Sequence, residues 1–280
     1  MGEEEKGNGS GQGGEQEEII KSVGLNTPGV LPHASQSRKG TVPYNKNKLN
    51  QDRAFVHFGL LGEPQMSAWG VADGHGEFGH HVAAFVQSKL PECLAAQGGE
   101  LRAQPEKAIT DAVRRLCDEL TDTNINVAFS GSTLCFGLRV QTPPNGNGNG
   151  AGGGSAAAAG SDMLFVANVG DSRCVLCRQS ENGELQAIGL SIDQKPENPR
   201  EKARILKAGG RVEPLPGPPG EDCGPARVWL AEVDVPGLAM SRSVGDEVSQ
   251  TVGVISVPEI IPHQILPNDI FAIWATDGGE

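Results

Sequence analysis

The sequence is short of aromatic side chains and of positive charge, and it lacks an apolar run long enough to cross a bilayer. Only 4% of its 280 residues are aromatic, and 23 Lys and Arg oppose 35 Asp and Glu, which gives a formal net charge of -12. Because phosphate backbones are bound by basic surfaces, this balance argues against a nucleic-acid partner or an anionic membrane surface. The lack of a long apolar run predicts no membrane-spanning helix.

Cysteine is also sparse, with six residues scattered along the chain and no signal-peptide pattern before them. We therefore expect reduced thiols in an intracellular protein, cytoplasmic or nuclear. Cys174 and Cys177 form a C-x-x-C, but they lie in the strand-like run SRCVLCR. Residues three apart on a strand point to opposite faces, so we interpret both as packing residues rather than a zinc site.

The length and composition predict one large folded domain. With 280 residues, 37% of them hydrophobic, the chain can bury a sizeable core. Residues 1–18 hold no apolar side chain after Met1, which predicts a disordered acidic, Gly-rich tail. The folded domain then covers 19–280, with a low-complexity loop at 142–161 that cannot build a core. We expect a monomer.

The hydrophobic spacing predicts a mixture of helices and strands. Helical spacing occurs over 78–90, 104–129 and 197–208, and Pro91 is expected to end or kink the first helix. Strand-like runs cover 54–62, 67–73, 131–141, 162–178, 227–233, 254–260 and 270–277, the first two as a hairpin. Strands interrupted by helices without regular β-α-β alternation predict layered α+β architecture.

Four aspartates share a setting, because Asp52, Asp73, Asp171 and Asp277 each adjoin an apolar strand-like run. A carboxylate at a buried strand end is unfavourable unless it is paired or bound to a cation. Converging carboxylates raise one another's pKa unless a divalent ion neutralises them, and oxygen ligands suit Mg²⁺ or Mn²⁺ rather than Zn²⁺. Gly74 would let a backbone carbonyl approach the same ion. Taken singly, each Asp-Gly site is better explained as a turn.

A series of motifs resembles the type 2C protein phosphatases, the metal-dependent Ser/Thr phosphatases, and is most like plant, algal and protozoan members. The matching segments are NQD, GVADGHGEFGHHVAAFV, GSTLCFGL, LFVANVGDSR, DQKPENPREKARILKAGGRV, VPGLAMSRSVGD, VGVISVPEI and FAIWATDG, in that order. The resemblance covers about residues 45–278. It implies a four-layer α-β-β-α sandwich, with two antiparallel sheets flanked by helices, and phosphoprotein substrates.

The resemblance also implies a site with two Mg or Mn ions and a weaker third. Asp73 matches the acid that bridges both ions, and Gly74 matches a backbone-carbonyl ligand. Asp277 matches a direct ligand, and Asp52 an acid that acts mainly through metal-bound water. Asp171 matches an acid associated with the third ion. Such paired ions lower the pKa of a water that can attack phosphorus.

Two further residues take catalytic roles by the same resemblance. His75 matches the proposed general acid, which would give a proton to the departing Ser or Thr oxygen. Lys48 lies near the family's phosphate-binding basic residue, with Lys46 as a rival. The segment 237–246 is interpreted as structural support near the site, and Asp246 is not placed among the direct ligands.

The resemblance breaks at the last residues, ATDGGE. The family continues with an apolar residue, Trp and an acid, and later with an Asp-Asn motif whose Asp is a metal ligand. The 280 residues contain no equivalent, so the fold is expected to be incomplete at the C-terminus. One interpretation is a phosphatase represented by a partial chain. The alternative is a catalytically weak or inactive relative that binds phosphoproteins or regulators, and a third is a metal-dependent hydrolase of small phosphoesters.

Overall fold

A computed structural model describes residues 18–21, 32–40, 48–142, 160–217 and 222–279. The predicted disordered tail lies outside the described residues except for Glu18, which begins a strand instead. Most of the predicted low-complexity loop, residues 143–159, also lies outside them, and so does Lys46. No helix within the described part of the chain is long and apolar enough to cross a membrane.

The elements alternate irregularly between strand and helix. In the described residues the helices are α1 (Gly79–Ala95), α2 (Glu100–Ala103), α3 (Pro105–Thr121), α4 (Pro199–Lys207) and α5 (Glu247–Gln250). The strands are β1 (Glu18–Lys21), β2 (Ala34–Ser37), β3 (Asp52–Phe58), β4 (Met66–His75), β5 (Gly131–Ser132), β6 (Leu134–Thr142), β7 (Ser161–Val169), β8 (Arg173–Gln179), β9 (Leu185–Gly189), β10 (Arg211–Pro216), β11 (Asp222–Trp229), β12 (Pro236–Leu238), β13 (Val244–Gly245), β14 (Glu259–Gln264) and β15 (Asp269–Ala275).

The largest sheet has seven antiparallel strands in the order β13-β5-β4-β6-β7-β14, with β3 also paired to β4. Helices α1 and α3 cover one face and form the main core with it. Side chains of strand β6 alternate between the two faces of the sheet. Phe136 and Leu138 face this core, while Cys135 belongs to the core on the opposite face. The predicted hairpin is confirmed as the β3–β4 pair.

The opposite face of the large sheet packs on a smaller antiparallel sheet, ordered β15-β8-β9. Trp69 and Trp274 meet there edge to face, with ring centroids 5.5 Å apart. Cys174 is buried in this interface while Cys177 on the same strand is half-buried, and all six cysteines are free. Two packed antiparallel sheets with helices against them confirm the α+β sandwich.

A separate unit is formed by α4 and the three-stranded sheet β10-β11-β12. It has its own apolar cluster, which includes Ile205, Val228 and Met240. Glu201 of α4 binds Arg242, which follows β12, and both side chains are almost fully buried. The unit therefore has both an apolar core and a buried ion pair.

Two predicted helix boundaries were wrong. Pro91 does not end α1, which continues to Ala95, because Leu94 and its neighbours anchor the last turns in the main core. Helix α3 ends at Thr121 rather than near residue 129. Val127 is buried, but it enters the core from an irregular segment, so an apolar residue there does not signal a helix.

Several predicted strands were merged or shifted along the sequence. The run 162–178 is two strands, because the chain turns at Gly170, whose φ of +107° suits glycine. Strand β11 lies at Asp222–Trp229 rather than at 227–233, and β14 begins only at Glu259. These shifts leave the strand ends that carry the aspartates in place.

Candidate metal centre

Three of the predicted acids meet at one end of the sandwich. Antiparallel pairing of β3 with β4 sets Asp52 directly opposite Asp73, where side chains of a strand pair are close neighbours. Asp277 follows β15, and its carboxyl group, like that of Asp52, is within hydrogen-bonding reach of Asp73. The Thr276 hydroxyl donates to Asp52 at 3.4 Å. We refer to Asp52, Asp73 and Asp277 as the acid cluster.

The acid cluster has an unfavourable concentration of negative charge. Burial, followed by the nearby charges of Asp52 and Asp277, raises the pKa of Asp73 from 3.8 to about 8. Asp73 therefore holds a proton at neutral pH when no cation is present. Within the described residues no three His, Cys, Asp or Glu side chains already have the spacing of a metal cage. The donor set nevertheless suits a hard divalent cation, which would replace the proton on Asp73.

Gly74 follows Asp73 near the end of β4 and packs against Gly79, the first residue of α1. A Cβ at this position would overlap the carbonyl of Gly79 and lie 2.9 Å from the carbonyl oxygen of Gln51. The Gly74 N–H donates to that Gln51 oxygen at 3.3 Å. Close packing at the start of α1 thus explains why glycine is needed here, and the role of its carbonyl as a ligand stays a prediction.

Asp171 lies beside the acid cluster but already has a cation of its own. It is 4% exposed, and the ammonium of Lys195 donates to its carboxylate at 2.5 Å. Burial lowers the pKa of Lys195, but the hydrogen bond to Asp171 and the charges of Asp171 and Asp277 outweigh it, so the net shift is upward. Hydrogen bonds between Gly170 and Gln194 hold the two segments together.

His75 ends β4 and pairs with an acid that the sequence interpretation left in a supporting role. Its Nε2 lies 2.6 Å from Oδ2 of Asp246, whose side chain is 2% exposed, while the His75 side chain is 23% exposed. Burial lowers the pKa of His75, but the carboxylate of Asp246 and then that of Asp171 outweigh it, and the pKa is raised overall. Asp246 is therefore the acidic partner of His75.

Lys48 is exposed, and its ammonium lies 3.2 Å from the position that a Cβ would take on Gly40. No contact found in the described residues joins Lys48 to the acid cluster, so its phosphate-binding role stays a prediction. The structure does place Lys195 against Asp171, a contact that sequence reasoning missed. Its signal was the DQKP segment, in which Gln194 bonds to Gly170 and Lys195 bonds to Asp171.

Two solved structures share this architecture. The serine-threonine phosphatase 2C from Toxoplasma gondii matches with a TM-score of 0.60 at 20% identity, over 81% of this chain and 77% of its own. A sex-determining protein from C. elegans matches with a TM-score of 0.58 at 20% identity, over 83% of this chain and 49% of its own. The sandwich is therefore the phosphatase 2C fold.

Sequence comparison identifies the family. The protein phosphatase 2C model matches residues 45–278. Probable protein phosphatase 2C 72 of Arabidopsis thaliana is 38% identical over 82% of this chain and 65% of its own length, and probable protein phosphatase 2C 48 of Oryza sativa is 35% identical over 99% and 79%. The chain belongs to the protein phosphatase 2C family, whose members are metal-dependent Ser/Thr protein phosphatases. It spans about two thirds of the length of the Arabidopsis relative.

Proposed function

We propose that the chain hydrolyses phosphoserine and phosphothreonine in protein substrates with the help of Mg²⁺ or Mn²⁺. The observation that carries this proposal is the acid cluster, in which burial and mutual repulsion raise the pKa of Asp73 to about 8. A divalent cation relieves that repulsion by replacing the proton. Family membership supplies the reaction, and the cluster supplies a place for its metal.

The proposed ligand set follows the acids around the cluster. Asp73, the Gly74 carbonyl and Asp277 would hold the ions directly, and Asp52 would contribute mainly through water. Asp171 would help to hold a weaker third ion, in competition with Lys195 for the same carboxylate. Oxygen donors of this kind suit Mg²⁺ and Mn²⁺.

The bound ions supply Lewis acidity toward the phosphoryl group and lower the pKa of a water to the range of neutral pH. The remaining work falls to the chain's own side chains. His75, paired with Asp246, is the proposed proton donor to the departing Ser or Thr oxygen. Lys48 is the proposed partner of substrate phosphate.

The proposal also covers how the protein exists in the cell. All six cysteines are free, which supports a reducing intracellular compartment. We propose that it acts there as a monomer, which size-exclusion chromatography with light scattering would test.

Turnover of a phosphoserine peptide tests the reaction. We expect hydrolysis with Mn²⁺ or Mg²⁺, its loss in excess EDTA, its recovery when either ion is restored, and no effect of a zinc-selective chelator. Equal rates with and without EDTA would refute the proposal. Binding of the peptide without turnover would instead identify a regulatory binding protein, and turnover of p-nitrophenyl phosphate alone would identify a small-phosphoester hydrolase.

A further inference from the structure

A short segment from Phe129 to Thr133 runs beside the end of β4, where the acid cluster lies. The Thr133 N–H donates to the carbonyl oxygen of Asp73 at 2.9 Å, and Gly131 is in register with His75. Phe129 precedes Thr133 by four residues, so their Cα atoms are at most about 14 Å apart even in a fully extended chain. Phe129 therefore lies at the edge of the candidate metal centre.

The backbone of Phe129 also contacts the loop that follows His75. A Cβ on Gly76 would lie 2.2 Å from the carbonyl oxygen of Phe129, so the two segments touch where Gly76 has no side chain. The carbonyl oxygen of Gly76 accepts from the side-chain amide of Gln51 at 2.8 Å, and Gln51 directly precedes Asp52 in the sequence. Two short contacts thus connect Phe129 to a member of the acid cluster.

The side chain of Phe129 is exposed although the backbone around it is fixed. Phe129 is 51% exposed, whereas Val127 and Ser130 are 5% and 2% exposed. The carbonyl oxygens of Val127 and Ser130 accept from the N–H groups of Glu247 and Asp246, each at 3.0 Å. An exposed ring on a fixed backbone loses little conformational freedom when it contacts a ligand.

A second aromatic residue meets the same segment. The Phe78 N–H donates to the hydroxyl oxygen of Ser130 at 3.0 Å, and the Phe78 ring stacks on that of His81 with centroids 6.5 Å apart. Ser130 therefore brings two aromatic residues to the edge of the metal centre, in a chain that is only 4% aromatic. Apolar and aromatic side chains around a few polar groups are typical of ligand sites.

We propose that Phe129 is a specificity-determining residue that packs against a bulky apolar side chain of the substrate, within four positions of the phosphorylated residue. The inference rests on the proposed phosphatase function and names the class of peptide that the site prefers. The limit of four positions follows from distance, because an extended peptide with its phosphorylated residue at the metal centre also needs at most four residues to span about 14 Å.

A scan of phosphoserine peptides tests the inference. In an alanine background, Leu and Ser are compared at each position from four before to four after the phosphoserine. In the wild type we expect kcat/KM to be about tenfold higher with Leu than with Ser at one position or more, since burying a leucine side chain contributes a factor of that order. In Phe129→Ser we expect this ratio to fall below about twofold.

Two further variants serve as controls. Phe129→Leu keeps an apolar side chain and should retain a preference of at least about fourfold. Leu185→Ser removes a side chain that is 65% exposed on β9 and should retain the wild-type ratio. Because each ratio compares two peptides on one preparation, a variant that is partly unfolded still gives a valid ratio. Equal kcat/KM for Leu and Ser peptides in the wild type, or an unchanged ratio in Phe129→Ser, would overturn the inference.

Peptide binding tests the inference without turnover. By fluorescence anisotropy of labelled phosphoserine peptides in Mn²⁺, we expect Leu in place of Ser to lower Kd about tenfold in the wild type and less than about twofold in Phe129→Ser. Equal Kd values in the wild type would overturn the inference even if the peptides are hydrolysed. The expected difference in Kd without turnover would overturn only the proposed function, and no binding or turnover of any peptide would overturn both.

Discussion

Two sites in this molecule, the acid cluster and Glu201, have carboxyl groups whose pKa values are shifted in opposite directions. In the acid cluster, Asp73 has a pKa raised to about 8 by burial and by Asp52 and Asp277. In the α4 unit, burial also raises the pKa of Glu201, but hydrogen bonds from Arg242, Arg204 and Ser241 outweigh it and lower the value to about 2. Both sites remove a carboxyl group from water, so the difference lies in the neighbours.

The comparison shows how a structural acid differs from an acid that awaits a ligand. Glu201 is 3% exposed and accepts from Arg242 at 2.8 and 3.0 Å, so its counterion is covalently part of the chain. In the acid cluster, burial and the neighbouring carboxylates instead raise the pKa of Asp73, so its charge is relieved by a proton or by a cation from solution. Asp171, paired with Lys195 beside the cluster, is intermediate between the two.

Among the variants, Asp73→Asn should have the largest effect on turnover. Removing the shared carboxylate should lower Mn²⁺-dependent turnover by roughly 1,000-fold or more, equivalent to about 4 kcal/mol of transition-state stabilisation. The metal-free protein should melt at the same or a higher temperature at pH 8, because repulsion is relieved. Asp118→Asn, at an exposed position on α3, should retain wild-type turnover. Wild-type turnover in Asp73→Asn would show that the acid cluster is not the metal centre.

Glu201→Gln should instead affect stability rather than turnover. It leaves the Arg242 charge buried without a full counterion, so the free energy of unfolding in urea should fall by about 3 kcal/mol. Turnover per folded molecule should change little. Glu119→Gln, which removes a surface ion pair with Arg115, should cost less than about 1 kcal/mol. If Glu201→Gln lowers the free energy of unfolding no more than Glu119→Gln does, the buried ion pair is no more important for stability than the surface pair.

The acids could be found from the sequence because the rule that identifies them is local. Asp52, Asp73 and Asp277 each follow or precede an apolar strand, and strand ends in a sandwich meet at shared edges. The α+β class and the β3–β4 hairpin followed from the same period-two patterns. The resemblance to the phosphatase 2C family added the order of the motifs.

The partners of these acids could not be found in the same way. The contact between Asp246 and His75 depends on β5 lying between their strands and on the left-handed backbone of Asp246. A local sequence pattern predicts neither feature. Lys195 meets Asp171 because hydrogen bonds between distant loops hold them together. Pro91 stayed inside α1 because tertiary packing outweighed its local preference to end a helix.

The pH dependence of stability tests the raised pKa of Asp73 directly. The folded-state pKa of Asp73 is raised above its ordinary 3.8, so between there and about 8 the native state holds more protons than the unfolded state. Its stabilising contribution is present below 3.8 and is lost as the pH rises toward 8. In EDTA the melting temperature of the wild type should therefore fall relative to Asp73→Asn between pH 5 and pH 8. Mn²⁺ should remove that difference at pH 8, and parallel curves for the two proteins in EDTA would contradict the shift.

Lys195→Gln tests the intermediate case and should have the smallest effect. Without the ammonium, Asp171 keeps a buried charge that a divalent ion can neutralise, so the weakest Mn²⁺ site should bind about tenfold more tightly, a change of roughly 1.4 kcal/mol. Titration calorimetry at fixed ionic strength measures this directly. Lys202→Gln removes the same charge from an exposed position on α4 and should leave binding unchanged. If both variants bind Mn²⁺ like the wild type, Lys195 does not compete with the third ion, and Asp171 belongs with Glu201 among the structural acids.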